Sequence, residues 1–594
     1  MKSPEPKGPQ NNKSELRDAL GDLRPYFVKS AWFSVIAALL ALMPSWYMLE
    51  VYDRVVNSRS FMTLLMLTVL VLASYLVMQV LEWAHNEQMG EAGLVLDRLL
   101  SERVFTASFE ANLKRLPGGS VQPLNDLRTL RDFLPSVLLK SLVEAPVALV
   151  FLAFIFAISP VLGYAALIGA IIQTIIAWMN ERSTQPPLTA ANRSAFGAQQ
   201  YADGSLRNAQ VIEAMGMLAD IHKRWIAKQR EFLGLQALAS ERAGVYTSIS
   251  KFLQVVMSSL LLGLAAWLML RNQLNGGPAM LIVASILGGR VLQPLVQIVT
   301  QWRTGVNARD AFKRLETLLS DVPLKSDSME LPVPRGRLAA ENIIAIAPGS
   351  QATILRGVTF GLQPGEVLAV IGPSASGKTT LARVLAGVWP SAGGKARLDG
   401  ADLYAWDKSR LGPHVGYLPQ GIELFDGTLA ENISRFGKLE KAKVENAARA
   451  VGLHDFIMSL PEGYETEVGP EGARLSGGQR QRIGLARALY GDPVFVVLDE
   501  PNSNLDEAGE TALAAAVAEY KARGTTFVIV THRTSLMSVC DKLLLLREGA
   551  TQAFGPRDEV LAAMQKAAQE AAAKAQAAQQ RKSMGAPHLP ELAA

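Results

Sequence analysis

The sequence predicts a multidomain membrane protein, with an all-α domain of six membrane-crossing helices followed by an α/β domain built on a largely parallel sheet. Three observations predict it. Five blocks in the first half contain no Asp, Glu, Lys or Arg, short β-rich runs alternate with helical stretches after residue 332, and a glycine-rich loop stands between one such run and a helix.

Composition sets the bounds. At roughly 150 residues per domain, a chain of 594 residues has material for more than one core. Its 59 Lys+Arg against 54 Asp+Glu give a net charge of +5, and 19% charged with 49% hydrophobic residues is an apolar balance. That balance points to a bilayer and not to nucleic acid. The single cysteine, Cys540, has no intramolecular partner, and the six histidines form no cluster with metal-ligand spacing, so structural zinc and thiol catalysis are not expected. Residues 1–25 read as a polar cytoplasmic arm without the apolar core and cleavage site of a signal peptide.

The uncharged blocks are residues 31–49, 61–81, 145–180, 252–270 and 272–289. About 20 apolar residues cross a hydrocarbon core of roughly 30 Å, so most blocks make one span. The third makes two, because Ser159-Pro160 breaks the helical ladder. The expected spans are about 31–50, 61–81, 138–158, 161–179, 250–270 and 279–298, within a membrane domain of residues 26–320.

Orientation follows from Lys and Arg near the span ends. The arm carries Lys2, Lys7, Lys13, Arg17 and Arg24, and the two long loops, residues 85–134 and 181–247, carry many more, including Arg98, Arg103, Arg128, Arg193, Arg207 and Arg224. Those loops are expected in the cytoplasm as helical extensions of the spans, with both termini on the same side. Glu50 and Lys140 read as snorkelling span-end residues; Glu144, Arg290, Gln293 and Gln297 are open between a polar path and a span-end role.

Pro332, Pro334 and Gly336 mark a linker over residues 321–336. Strands are then expected over 358–360, 366–371, 495–498, 526–530 and 543–546, within a domain of residues 337–560. The Ala/Gln/Lys-rich tail, 561–594, is a helix former without a broad apolar face and reads as a solvated helix.

Gly372, Pro373, Ser374, Ala375, Ser376, Gly377, Lys378 and Thr379, with Thr380 opening a helix, form a complete P-loop after a strand. Its backbone N–H groups cradle phosphates, Lys378 reaches the β- and γ-phosphates, and the Thr379 hydroxyl suits Mg²⁺. The apolar run 494–498 ends in Asp499 and Glu500, an arrangement in which the first carboxylate holds the metal and the second activates water. ATP and Mg²⁺ are the expected cofactors.

Between these motifs stand Leu475, Ser476, Gly477, Gly478 and Gln479. The set resembles the signature of ATP-binding-cassette (ABC) proteins, and this resemblance makes the second domain a P-loop ABC nucleotide-binding domain. It implies Gln420 as a Mg²⁺ and water sensor, residues 503–506 ending in Asp506 as a loop across a dimer interface, and His532 as the γ-phosphate switch. The family usually stacks adenine on an aromatic residue upstream of the P-loop; residues 342–351 contain none, leaving Ile346, Ala347 or Pro348 for apolar contact.

One membrane domain fused ahead of one cassette resembles a half-transporter of the exporter type, which implies a homodimer. Residues 47–56, 180–183, 205–215 and 288–297 are similar to the type I secretion permease/ATPases of the protease and lipase branch. That resemblance implies ATP-driven export of an unfolded protein, carrying a C-terminal signal, across the bacterial inner membrane. It implies as partners a periplasmic membrane-fusion adaptor, an outer-membrane channel protein, the secreted substrate and membrane lipid. The short arm has no room for the N-terminal peptidase domain of some relatives, so leader cleavage is not expected. The alternatives are an exporter of lipids or small amphiphiles, and an ATP-gated membrane protein that moves nothing.

Overall fold

The structure, a computed structural model, describes residues 14–274, 277, 279–324, 330–347, 352–469, 472, 474–566 and 569. The expectations for Pro348 and for the tail beyond residue 569 lie outside the described residues. The chain divides into two compact units with the main boundary after Pro323.

In the first unit six helical segments among the described residues are long and apolar enough to cross a membrane: Arg24–Ser58, Phe61–Lys114, Gln122–Ile158, Pro160–Arg207, Leu218–Leu270 and Ala279–Thr300. At about 1.5 Å per residue, the helices of 54, 48 and 53 residues far exceed a hydrocarbon core of roughly 30 Å. They therefore carry their polar halves well into water. Ser159 is extended, with φ −159° and ψ 133°, and Pro160 opens the next helix where its missing N–H costs nothing.

Three features differ from the sequence reading. The arm holds a helix, Glu15–Asp22, capped by Ser14, with Leu16 and Leu23 buried among Leu96, Leu100, Leu315 and Leu319. Leu16, Ala19, Leu20 and Leu23 recur at helical spacing, a pattern that counting charges passes over. Lys140 is paired: its Nζ lies 3.1 Å from Glu82 and 3.8 Å from Glu144. Glu50 is likewise paired, 2.7 Å from Arg54, where one π-helical turn, Val51–Val55, interrupts the α-helix.

The second unit contains two sheets. Its strands are β1 (Leu338–Ile346), β2 (Thr353–Leu362), β3 (Val367–Ile371), β4 (Gly393–Leu398), β5 (Ala401–Asp402), β6 (Val415–Leu418), β7 (Phe495–Asp499), β8 (Thr526–Val530), β9 (Lys542–Arg547) and β10 (Ala550–Pro556). The main sheet has the order β10-β9-β3-β8-β7-β6, parallel except for the β9–β10 hairpin. The central strands β3, β7 and β8 are buried along their whole length, as continuous apolar runs in parallel sheets are.

A second sheet, β2-β1-β4-β5, is antiparallel; of its strands only residues 358–360, within β2, were expected. Strand β1 is Ala-rich, bulged against both neighbours and bent at Asn342, whose φ is 48°, so it lacks clean alternation.

Candidate active site

Strand register assembles the site. Leu418 of β6 pairs with Leu498 of β7, and Leu498 pairs with Ile529 of β8. Gln420, Glu500 and His532, two or three residues beyond these partners, therefore emerge together at the carboxyl edge of the sheet. On the other side of β8, Val370 of β3 pairs with Val530, which brings the P-loop to the same edge.

Beyond β3 the chain turns through Gly372, Pro373, Ser374, Ala375, Ser376 and Gly377 into the helix Lys378–Leu385, which includes Thr379 and Thr380. Ala375 and Gly377 have φ of 64° and 96°. This alternation curls backbone N–H groups toward one point, an anion-binding nest. A Cβ on Gly372 would overlap the Leu546 carbonyl oxygen and lie 2.9 Å from Ser376 Oγ. Lys378 is buried across the loop, its Nζ donating to the carbonyls of Gly372 at 2.8 Å and Pro373 at 2.9 Å. Burial lowers its pKa, while Glu500 and Asp499 act in the opposite direction.

Asp499 is fully buried, and among the described residues neither carboxylate oxygen has a well-formed hydrogen bond, the Thr379 hydroxyl being its polar neighbour. Burial pushes its carboxyl up; the neighbouring Thr379 hydroxyl, with Arg383 and Lys378, pulls it down. An orphaned carboxylate beside a threonine hydroxyl and a phosphate nest has the donor chemistry of a Mg²⁺ site.

Glu500 adopts a left-handed backbone with φ 51°. Its N–H donates to the Val530 carbonyl at 3.0 Å. Its side chain accepts from Gln420 Nε2 at 3.0 Å and lies 3.8 Å from His532 Nε2.

The signature residues belong to another part of the surface. Ser476 caps the helix Gly477–Leu489: its Oγ accepts from the Gln479 N–H at 3.3 Å, and Gln479 Oε1 accepts from the Ser476 N–H at 2.8 Å. Among the described residues, no hydrogen bond or ion pair joins this segment to residues 372–380. Gly478 lies against Asn504, whose carbonyl oxygen would be 2.9 Å from an added Cβ. Asp506 caps the helix Glu507–Ala522, accepting from the Gly509 N–H at 2.9 Å and pairing with Arg482 at 2.6 Å. Ile346, proposed near adenine, is exposed at the end of β1.

Two arginines escaped the sequence reading. Arg435 is half-buried and donates to the carbonyls of Gly412, Val415, Arg487, Ala488 and Tyr490. Arg487 donates to the Asn432 backbone and side chain and to the Glu423 carbonyl. Together they fix the far end of the signature helix to β6 and to the segment after Gln420. Their partners are backbone carbonyls remote in sequence, which no local motif announces.

Comparison with known proteins agrees with this geometry. Residues 355–503 match the ABC transporter family, and residues 27–291 match the ABC transporter transmembrane region. The type I secretion system ATP-binding protein PrsD of Rhizobium meliloti is 39% identical over 545 residues, covering 91% of this chain and 93% of that one. The chain belongs to the type I secretion ABC transporters. This transporter is also 27% identical to the toxin RTX-I translocation ATP-binding protein of Actinobacillus pleuropneumoniae, over 91% of its own length and 77% of the relative's. A bacterial Atm1-family ABC exporter solved with ATP bound shares its fold, with a TM-score of 0.78 at 21% identity over 91% of this chain and 97% of that one. The transporter is thus a multi-pass membrane protein with an ATP-hydrolysing cassette that drives transport.

Proposed function

We propose that two copies of this chain form an exporter that moves an unfolded protein, bearing a C-terminal signal, from the cytoplasm across the bacterial inner membrane. The observation that carries this reading is that likeness to a type I secretion protein runs through the membrane half as well as the cassette. The partners are a periplasmic membrane-fusion adaptor and an outer-membrane channel protein. Positive charge on the arm and on the two long loops supports cytoplasmic termini and a cytoplasmic cassette.

Each ATP lies between the P-loop of one copy, Gly372 to Thr380, and Ser476, Gly477, Gly478 and Gln479 of the other. Asp506 stands at the interface between copies. Thr379, Gln420 and Asp499 would hold Mg²⁺, whose charge would offset that of the phosphates. Glu500 takes the proton of the attacking water. His532, beside it, reports the γ-phosphate, and Lys378 stays charged against the phosphates. Closure of the two cassettes on ATP favours one membrane conformation, and hydrolysis releases it.

The test is ATPase activity of the purified protein in lipid vesicles, with and without C-terminal fragments of candidate secreted proteins. A fragment that changes turnover supports protein export. Strong stimulation by lipids or hydrophobic drugs, with no fragment active, replaces the cargo class and leaves the cassette chemistry in place.

A further inference from the structure

We infer that Gln481 is a positioning residue that ties the backbone of Glu500 to the signature helix, so that each copy's base is set by the helix facing the other copy's ATP. The inference rests on the proposed roles of Glu500 and of Ser476 to Gln479. Gln481 is 1% exposed, on the helix that Ser476 caps. Its Nε2 donates to the carbonyls of Glu500 at 3.2 Å and Pro501 at 2.7 Å. Its Oε1 accepts from Ser503 Oγ at 3.3 Å and Asn504 Nδ2 at 3.2 Å.

One buried amide thus spends its donors and its acceptor on the turn that follows β7. That turn begins with Glu500 at φ 51°, a conformation that a residue with a Cβ keeps only where its surroundings over-determine it. The Glu500 N–H is held by Val530 on one side and its carbonyl by Gln481 on the other. The turn runs on to Asn504, which packs against Gly477 and Gly478. Gln481 and Asn504 therefore lock the start of the signature helix to the peptide that aims the Glu500 carboxylate. A rotation of that helix on meeting a second copy's nucleotide reaches Glu500 through this hydrogen-bonded link and needs no contact with the P-loop.

The experiment uses the full chain in lipid vesicles, with turnover normalised to folded protein. Gln481→Met keeps the side-chain length and removes the amide. The expected result is a kcat at least tenfold lower with an ATP KM changed less than threefold, because the P-loop is untouched. A merely structural role lowers the yield of folded protein and leaves normalised kcat in place; a value within twofold of wild type overturns the inference. Should Gln481→Met fail to fold, the double variant Ser503→Ala/Asn504→Ala removes the accepted half of the network from exposed positions. It is expected to lower kcat at least threefold, and an unchanged kcat overturns the inference equally. Glu500→Gln run in parallel separates the two readings: full turnover in that variant removes the base itself, whereas an inactive Glu500→Gln beside a normal Gln481→Met removes only the link.

Discussion

Gln420 donates its side-chain amide to the Glu500 carboxylate across 3.0 Å, from just beyond the neighbouring parallel strand. The contact joins the residue assigned to sense Mg²⁺ to the residue assigned to activate water. Were the amide to turn toward a cation held by Thr379 and Asp499, it would let go of the carboxylate and leave Glu500 free to accept a proton. Two variants check this order. Glu500→Gln is expected to lower hydrolysis by about 10²-fold or more, the usual scale for losing a general base, while bound ATP is retained. Gln420→Ala is expected to lower kcat by less. Phosphate release and filter-bound ATP measured on the same samples decide it, and a Gln420→Ala defect larger than that of Glu500→Gln reverses the assignment.

The P-loop prediction rests on sterics. In Gly372→Ala the new methyl would overlap the carbonyl of Leu546, a β9 residue held in its pairing with Thr551 of β10. The loop must yield because the sheet does not. ATP affinity is expected to fall at least tenfold with the fold retained, as read by nucleotide titration and circular dichroism. Wild-type affinity in this variant would mean that the nest is not where phosphate binds.

The site was legible where chemistry is local and illegible where it is not. Lys378, Asp499 and Glu500 sit in motifs whose spacing follows from one loop and one strand, and the parallel register then places them together. Ser476 was readable both as a cap and as a ligand, and within one chain the capping box is what its geometry displays. Gln481, Arg435 and Arg487 act through backbone carbonyls distant in sequence, so nothing near them marks their partners. The six spans were legible because missing charge is a strong signal. Pairing of Lys140 was not, because its partners Glu82 and Glu144 come from the neighbouring span and the next turn of its own helix.

Asp506 carries a pH signature. The Gly509 N–H, followed by Arg482, holds its carboxyl below the usual carboxylate range. A carboxyl whose folded pKa is depressed adds stability that is complete above its unfolded pKa, about 3.9, and is lost as pH falls through the lower folded value. Asp506→Asn keeps a good helix cap and removes this titration. Thermal melts from pH 7 down to pH 3 are therefore expected to separate the two proteins near neutrality and bring them together in acid. Parallel curves across the whole range would show that the Gly509 and Arg482 contacts do not favour the ionised form.

In the membrane unit, Lys140 lies between Glu82 and Glu144, and Glu144 also accepts from Ser34 Oγ at 3.0 Å. Three helices, Arg24–Leu40, Phe61–Lys114 and Val137–Ile158, meet through these side chains. The lysine and both carboxylates keep 22%, 35% and 24% of their side-chain surface exposed, so the pairing is weaker than a fully buried one. Lys140→Met leaves two carboxylates facing each other without a cation. Breaking a fully buried pair costs about 3–5 kcal/mol, and discounting for exposure leaves about 1–2 kcal/mol. Glu82→Gln added to Lys140→Met removes one of the two stranded charges, so the double variant is expected to regain at least half of that loss. The comparison is a double-mutant cycle read by thermal unfolding in detergent. Simple additivity of the two substitutions would mean that Lys140 and Glu82 do not interact, and that this pair does not tie Phe61–Lys114 to Val137–Ile158.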